Sequence, residues 1–270
     1  MPTQFSLDFQ VTEDLAEGQR WSTFWDVEAL CRGPLPAPAW VVSERAAVDS
    51  ELGILKTGKE ADVLLLERAV PGGQGVVMAA KRYRSEEHRA FHRSASYTEG
   101  RRTRSSRDAR ALAKKTRFGR SVAAGQWARA EWEALVTFWQ AGVPVPYPVQ
   151  VDGTEILMEL VRDEDGPAPR LATTRPDRPL LASYLEQVRD ILTALARAGV
   201  THGDLSPYNV LAAGDRLVVI DLPQVVDLVA NPSGPEYLLR DCTTMCAWFQ
   251  RRGLEVDEHA LFAELLAQAW

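Results

Sequence analysis

The run Val200-Thr-His-Gly-Asp-Leu-Ser-Pro-Tyr-Asn-Val-Leu211, with Val219-Ile-Asp221 following ten residues past the asparagine, decides how this chain is read. It has the form H-x-D-x-x-x-x-N, then a strand, then an aspartate at the strand end. Phosphoryl transfer needs one carboxylate to orient or deprotonate the attacking hydroxyl. It also needs an amide oxygen and a second carboxylate to hold Mg²⁺ on nucleotide phosphates. His202, Asp204, Asn209 and Asp221 supply those groups within twenty residues, so a mere turn or helix cap at Asp204 is the poorer reading.

Working outward, matching partners lie upstream. Lys81 ends the apolar strand Val76-Val-Met-Ala-Ala80, where an ammonium would reach the α- and β-phosphates of ATP. Such a lysine needs a glutamate from the next helix, expected over 126–140 with Trp132, Leu135, Val136 and Trp139 on one face. Glu131 is the assigned partner and Glu133 the alternative. Glu131 shares a face with Leu135 and Phe138, whereas Glu133 is turned away by about 200°. Gly53-Ile-Leu-Lys-Thr-Gly58-Lys59 opens like a P-loop, but Glu60 stands where Ser or Thr is needed and a strand-like run follows. A turn that covers nucleotide between two strands fits better.

The chain has 270 residues, 46% apolar and 25% charged, an ordinary globular composition. Its N-terminus has no apolar stretch of signal-peptide type, no run approaches the ~18 residues of a membrane span, and three cysteines make no disulfide framework. A cytoplasmic protein without membrane association is expected. Net charge is −6, yet Lys81–Arg120 holds fourteen Lys and Arg against four acids. That basic island suggests a polyanionic partner or a self-docking loop.

Residues 1–47 read as an N-terminal helical extension, from the spacing of Trp21, Phe24 and Trp25. Strands are expected at 52–55, 61–67, 75–81, 148–151 and 155–160, a five-stranded lobe (48–161) with one helix and a flexible loop at 84–125. The lobe 162–270 is mainly helical (180–198, 236–253, 257–270), with a hairpin at 209–221. His88 and His92 stand i, i+4 without further metal ligands, and Cys242 and Cys246 read as buried helix residues.

Over residues 50–255 the chain resembles the RIO atypical protein kinases, and within them the first subfamily. Thr57-Gly58-Lys59-Glu60-Ala61 resembles that family's phosphate loop, with Lys56 replacing its usual serine. Asp165-Gly-Pro-Ala-Pro-Arg170 resembles its post-hinge signature, Val200–Leu211 its catalytic loop, Ile220-Asp-Leu-Pro-Gln224 its metal loop, and Leu238-Leu-Arg-Asp-Cys242 its late helical signature. Asp227-Leu-Val-Ala-Asn-Pro232 departs from the family, which has a histidine-containing run there.

The resemblance implies an α+β, bilobal, protein-kinase-like fold lacking the usual activation and substrate-docking segments. It implies an ATP- and Mg²⁺-dependent serine/threonine kinase, with Mn²⁺ as a substitute. Asp204 becomes the catalytic base, Asn209 and Asp221 the metal ligands, and Lys81 the phosphate contact supported by Glu131. Thr57, Gly58, Lys59, Glu60 and Val63 cover the nucleotide. Met158 is the gatekeeper, and the backbone of Glu159 and Val161 meets adenine. Two other classes compete: an aminoglycoside-type small-molecule phosphotransferase, and an RNA- or ribosome-bound nucleotide switch working through the basic loop 84–120. Autophosphorylation at Ser105 or Ser106, between arginines, is a further expectation.

Overall fold

In the computed structural model of the chain, residues 15–84 and 117–269 are described, excluding the side chains of 117–123. Residues 85–116 of the basic loop, with His88, His92, Ser105 and Ser106, lie outside the described residues, whereas 117–125, expected as the end of that loop, are helical.

The first lobe is one antiparallel sheet in the order β1-β2-β3-β4-β6-β5. Its strands are β1 (Gln19–Trp21), β2 (Val48–Thr57), β3 (Ala61–Ala69), β4 (Val76–Tyr83), β5 (Pro148–Asp152) and β6 (Glu155–Glu159). Short turns at 58–60 and 70–75 and the Asp152-Gly153 turn join neighbours, as hairpin chemistry demands; Gly153 takes φ +58°. Asp49 and Arg68 stand opposite each other across β2 and β3, wholly buried, in a bidentate pair of 2.6 and 2.9 Å. An ion pair in that position fixes strand register, because a slip would bury each charge without its partner.

Six strands replace the expected five, because β1 adds to the sheet edge by pairing Gln19 with Ser50 and Trp21 with Val48. The helical N-terminal extension is therefore corrected. Beyond β1, the described part of 15–47 holds a 3-10 turn at Ala29–Cys31 and an isolated bridge from Arg32 to Gln150, with no α-helix. The aromatic spacing serves packing instead of a helix. Trp25 lies edge-on to Phe24 and under the Arg32 guanidinium at 4.7 Å, while Phe24, Trp40 and Val41 cover the outer sheet face at Leu66, Met78, Tyr147 and Leu157.

Helix α1 (Arg117–Gln140) lies behind the sheet and starts earlier than periodicity indicates. Trp132 is buried against the core and its indole N–H donates to the Leu30 carbonyl at 3.0 Å. After β6 the chain makes a small hairpin, β7 (Arg162–Asp163) with β8 (Gly166–Pro167), and enters the second lobe.

That lobe contains α2 (Arg178–Arg197), β9 (Val200–Thr201), the hairpin β10 (Val210–Ala213) and β11 (Arg216–Val219), β12 (Val226–Asp227), α3 (Gly234–Gln250) and α4 (Glu258–Gln268). Asp177 caps α2 by accepting from the Leu180 N–H, and Gly199 at φ +72° ends the turn after it. Only residues 222–233 separate Asp221 from α3, so no long activation segment stands there. One apolar cluster runs from Ala79, Ile156 and Met158 through Leu171, Leu205 and Leu222 to Leu192, Met245 and Phe249. The lobes thus share a core beside the cleft. No helix among the described residues is long and apolar enough to cross a membrane.

Candidate active site

Lys81 points from β4 into the cleft. Its ammonium donates to Glu131 Oε1 at 2.7 Å and to Asp221 Oδ1 at 2.8 Å, with 13% of the side chain exposed. Burial alone would lower its affinity for a proton. The carboxylates of Glu131 and Asp221, with Tyr83 beside them, more than offset that and hold the ammonium well above its ordinary pKa.

Glu131 is buried and fully engaged. Besides Lys81, it accepts from the Tyr83 hydroxyl through Oε2 and from the Leu222 N–H at 3.3 Å. Glu133 instead lies on the outer helix face, paired with Arg129 at 2.9 Å. The face argument from 3.6-residue periodicity thus separates the two glutamates as expected. Tyr83 was not anticipated; alternation along β4 was the available signal, since residues i and i+2 share a strand face.

The loop carrying Asp204 is shaped from below by Asp241 of α3. This buried carboxylate accepts from the Thr201 hydroxyl at 2.7 Å, the Gly203 N–H at 2.8 Å and the Leu205 N–H at 2.8 Å. Burial pushes the Asp241 carboxyl above its usual range, opposed by the His202 ring and those donors. His202 is buried too. Its Nε2 lies 3.1 Å from the Ile220 carbonyl and its Nδ1 accepts from the Asp204 N–H at 3.3 Å, which the Nε2–H tautomer satisfies. His202 therefore joins the Asp204 loop to the strand leading into Asp221.

Asn209 is held close by. Its amide N–H₂ donates to the Asp204 carbonyl at 2.8 Å, which turns Oδ1 into the remaining acceptor, and its own carbonyl accepts from the Ile220 N–H at 2.9 Å. Asp221 sits at φ +67°, a left-handed conformation uncommon for any residue but glycine. This backbone bend sends Leu222 into the core and leaves the carboxylate half exposed to the cleft. Lys81, foremost, holds that carboxylate below its ordinary pKa.

The β2–β3 turn closes the site from above. The Gly58 N–H donates to the Ala61 carbonyl at 2.9 Å, and a Cβ at Gly58 would meet that oxygen at 2.9 Å, so glycine fits this tight turn. Glu60 is half-buried. Burial, and then the negative charge of Asp221, raise its carboxyl, so this loop residue feels the cleft directly. Thr57 and Lys59 are exposed at the turn, and Val63 packs on the core beneath it. Met158 is buried opposite Ala79. The Glu159 N–H donates to the Tyr147 carbonyl and the Val161 carbonyl accepts from the Ala168 N–H, both at 2.9 Å. At the cleft floor, Arg170 donates to the Tyr208 carbonyl. In the departing segment, Asp227 Oδ1 accepts from the Val229 and Ala230 N–H groups, a local turn that needs no histidine.

A strand lysine paired with a helix glutamate, a carboxylate on a rigid loop, and an amide beside a second carboxylate define a phosphotransferase cleft of protein-kinase type. The comparisons agree. A family model, the RIO domain, matches residues 72–261, and the chain belongs to that family. It is 37% identical over 215 residues to the RIO-type serine/threonine-protein kinase Rio1 of Haloferax volcanii, covering 80% of this chain and 68% of the relative. It is 32% identical over 143 residues to the Rio1 kinase of Thermoplasma acidophilum, 53% of this chain and 74% of that one. Among solved structures, the Rio2 kinase of Chaetomium thermophilum, in an ADP/Mg²⁺–phosphoaspartate complex, superposes with a TM-score of 0.56 at 20% identity, over 81% of this chain and 62% of that chain. The fold is the bilobal kinase-like one, and the enzyme class is protein kinase.

Proposed function

We propose that this chain transfers the γ-phosphate of ATP to a serine or threonine hydroxyl of a protein, with Mg²⁺. The observation that carries the reading is the Lys81 ammonium held between Glu131 and Asp221, at 2.7 and 2.8 Å, beside the loop of Asp204. Lys81 binds the phosphates, and the Thr57–Glu60 turn lies over them. Met158 and Val63 flank the adenine. With the Glu159 N–H and the Val161 carbonyl already engaged, the Glu159 carbonyl and the Val161 N–H are the groups left for the base. Asn209 Oδ1 and the Asp221 carboxylate are hard oxygen donors on one backbone-bonded pair of segments, a set suited to Mg²⁺ completed by phosphate and water. Bound there, the cation neutralises charge on the transferring phosphates. Asp204 accepts the hydroxyl proton.

We assign the basic segment 84–120 to a polyanionic partner such as RNA, and Ser105 and Ser106 to self-modification. Charge and sequence support these assignments, and three free cysteines support a reducing, cytoplasmic setting.

The test is incubation with γ-labelled ATP and Mg²⁺ in the presence of protein acceptors. Asp204→Ala should lose ~10²–10⁴ in rate while binding nucleotide within a few-fold. Asp221→Ala should weaken Mg²⁺–nucleotide binding itself. Equal turnover of wild type and Asp204→Ala would overturn the assignment.

A further inference from the structure

We propose that Arg240 is a positioning residue of the transfer step. It holds the Asp204 carboxylate toward the incoming hydroxyl and offsets the negative charge gathered between Asp204 and the moving phosphoryl group. The inference rests on the kinase reading above.

Three observations carry it. The first is placement. Neighbouring residues on a helix diverge by about 100°, so α3 sends Asp241 down into the backbone of the catalytic loop and brings Arg240 out at the loop's edge. There the Arg240 guanidinium lies 3.7 Å from Asp204 Oδ1, with the two side chains 46% and 49% exposed. It also lies over the Tyr237 ring, 5.0 Å from its centroid and one helical turn back, which narrows the positions the long side chain adopts. One helix thus fixes the backbone of the catalytic loop through Asp241 and addresses its carboxylate through Arg240.

The second is charge supply. The loop residues between Asp204 and Asn209 are Leu205, Ser206, Pro207 and Tyr208, none of them cationic. Lys81 is bound to Glu131 and Asp221, and Arg170 to the Tyr208 carbonyl. Among the described ion pairs, Arg240 is the cation set against Asp204.

The third is the chemistry. In the transfer, the acceptor oxygen bonds to the γ-phosphorus as the bond to the β–γ bridging oxygen breaks. The hydroxyl proton passes to Asp204, and ADP leaves. A carboxylate and a phosphoryl group, both anionic, must therefore approach the same oxygen, and a cation at the carboxylate's flank relieves that repulsion. An arginine touching the phosphoryl group itself is worth ~10³–10⁵ in rate. Arg240 acts through Asp204, so a smaller effect is expected.

The experiment compares kcat and KM, for ATP and for a protein acceptor, in wild type, Arg240→Ala and Arg240→Lys, with thermal midpoints alongside. Arg240→Ala should lose about 10–100-fold in kcat, with the KM for ATP and the thermal midpoint unchanged. Arg240→Lys should recover most of the loss, as should millimolar guanidinium, but not urea, added to Arg240→Ala. The proposal is overturned by an Arg240→Ala enzyme with wild-type kcat. It is equally overturned by a loss that neither lysine nor guanidinium restores, which would mark a structural role, or by a rise in acceptor KM alone, which would mark docking. An inactive wild type, toward protein and water alike, would sink the underlying reading as well; an active wild type with a neutral Arg240→Ala sinks this inference only.

Discussion

At the residue scale, the cleft depends on a few groups whose charges are set by one another. Glu131 is the clearest case, since a single buried carboxylate ties Lys81 of β4, Tyr83 of the same strand and the Leu222 N–H of the metal loop. Removing its charge frees Lys81 to collapse onto Asp221 and leaves the Leu222 N–H with a poorer acceptor. Glu131→Gln should therefore lower kcat/KM for ATP by roughly 10–100-fold, since a misplaced phosphate contact costs about that much. Glu133→Gln should be neutral, because its exposed pair with Arg129 is worth at most about 0.5 kcal/mol. Steady-state kinetics of the two variants decides the matter, and equal losses would contradict the geometry.

At the element scale, α3 holds the catalytic loop in shape through Asp241. Its buried side, with Leu238, Cys242, Met245 and Phe249, locks into the second lobe, and Asp241 sits within that side. There the carboxylate satisfies two backbone N–H groups and one hydroxyl that would otherwise be orphaned. Asp241→Ala leaves all three without an acceptor, at ~1–3 kcal/mol for each buried group left unpaired. The expected result is a loss of several kcal/mol in unfolding free energy by urea titration, together with loss of phosphate transfer. A variant that keeps wild-type stability and activity would show that the loop holds itself.

At the scale of the whole molecule, nucleotide should act as a clamp, since its proposed contacts come from both lobes: Lys81 and the β2–β3 turn on one side, Asn209 and Asp221 on the other. A ligand bound only by the folded form at one hundred times its Kd adds about 2.7 kcal/mol. For a chain of this size that corresponds to roughly 5–10 °C in Tm. A thermal-melt experiment should show that rise with ATP and Mg²⁺, and its loss in Lys81→Met or on chelation of the metal.

The same scale explains what was legible in the sequence. Strand alternation, the turns at 58–60 and 152–153, and the H-x-D-x-x-x-x-N spacing are local, so β2 to β6 and the Asp204 loop could be read directly. The choice of Glu131 over Glu133 followed from helix periodicity. The N-terminal segment misled because Trp21, Phe24 and Trp25 follow helical spacing, yet of the three Phe24 packs on the outer sheet face, remote in sequence, while Trp21 and Trp25 stay exposed, Trp25 beside the Arg32 and Arg45 guanidinium groups. Asp241 and Arg240 stood in a recognised signature, but no periodicity states that a helix some 36 residues further on holds Asp204's loop. Residue type and spacing by themselves determined which groups could carry phosphoryl transfer. The tertiary structure alone decided which were brought together, because charges and hydrogen bonds act over a few ångströms of space whatever their separation along the chain.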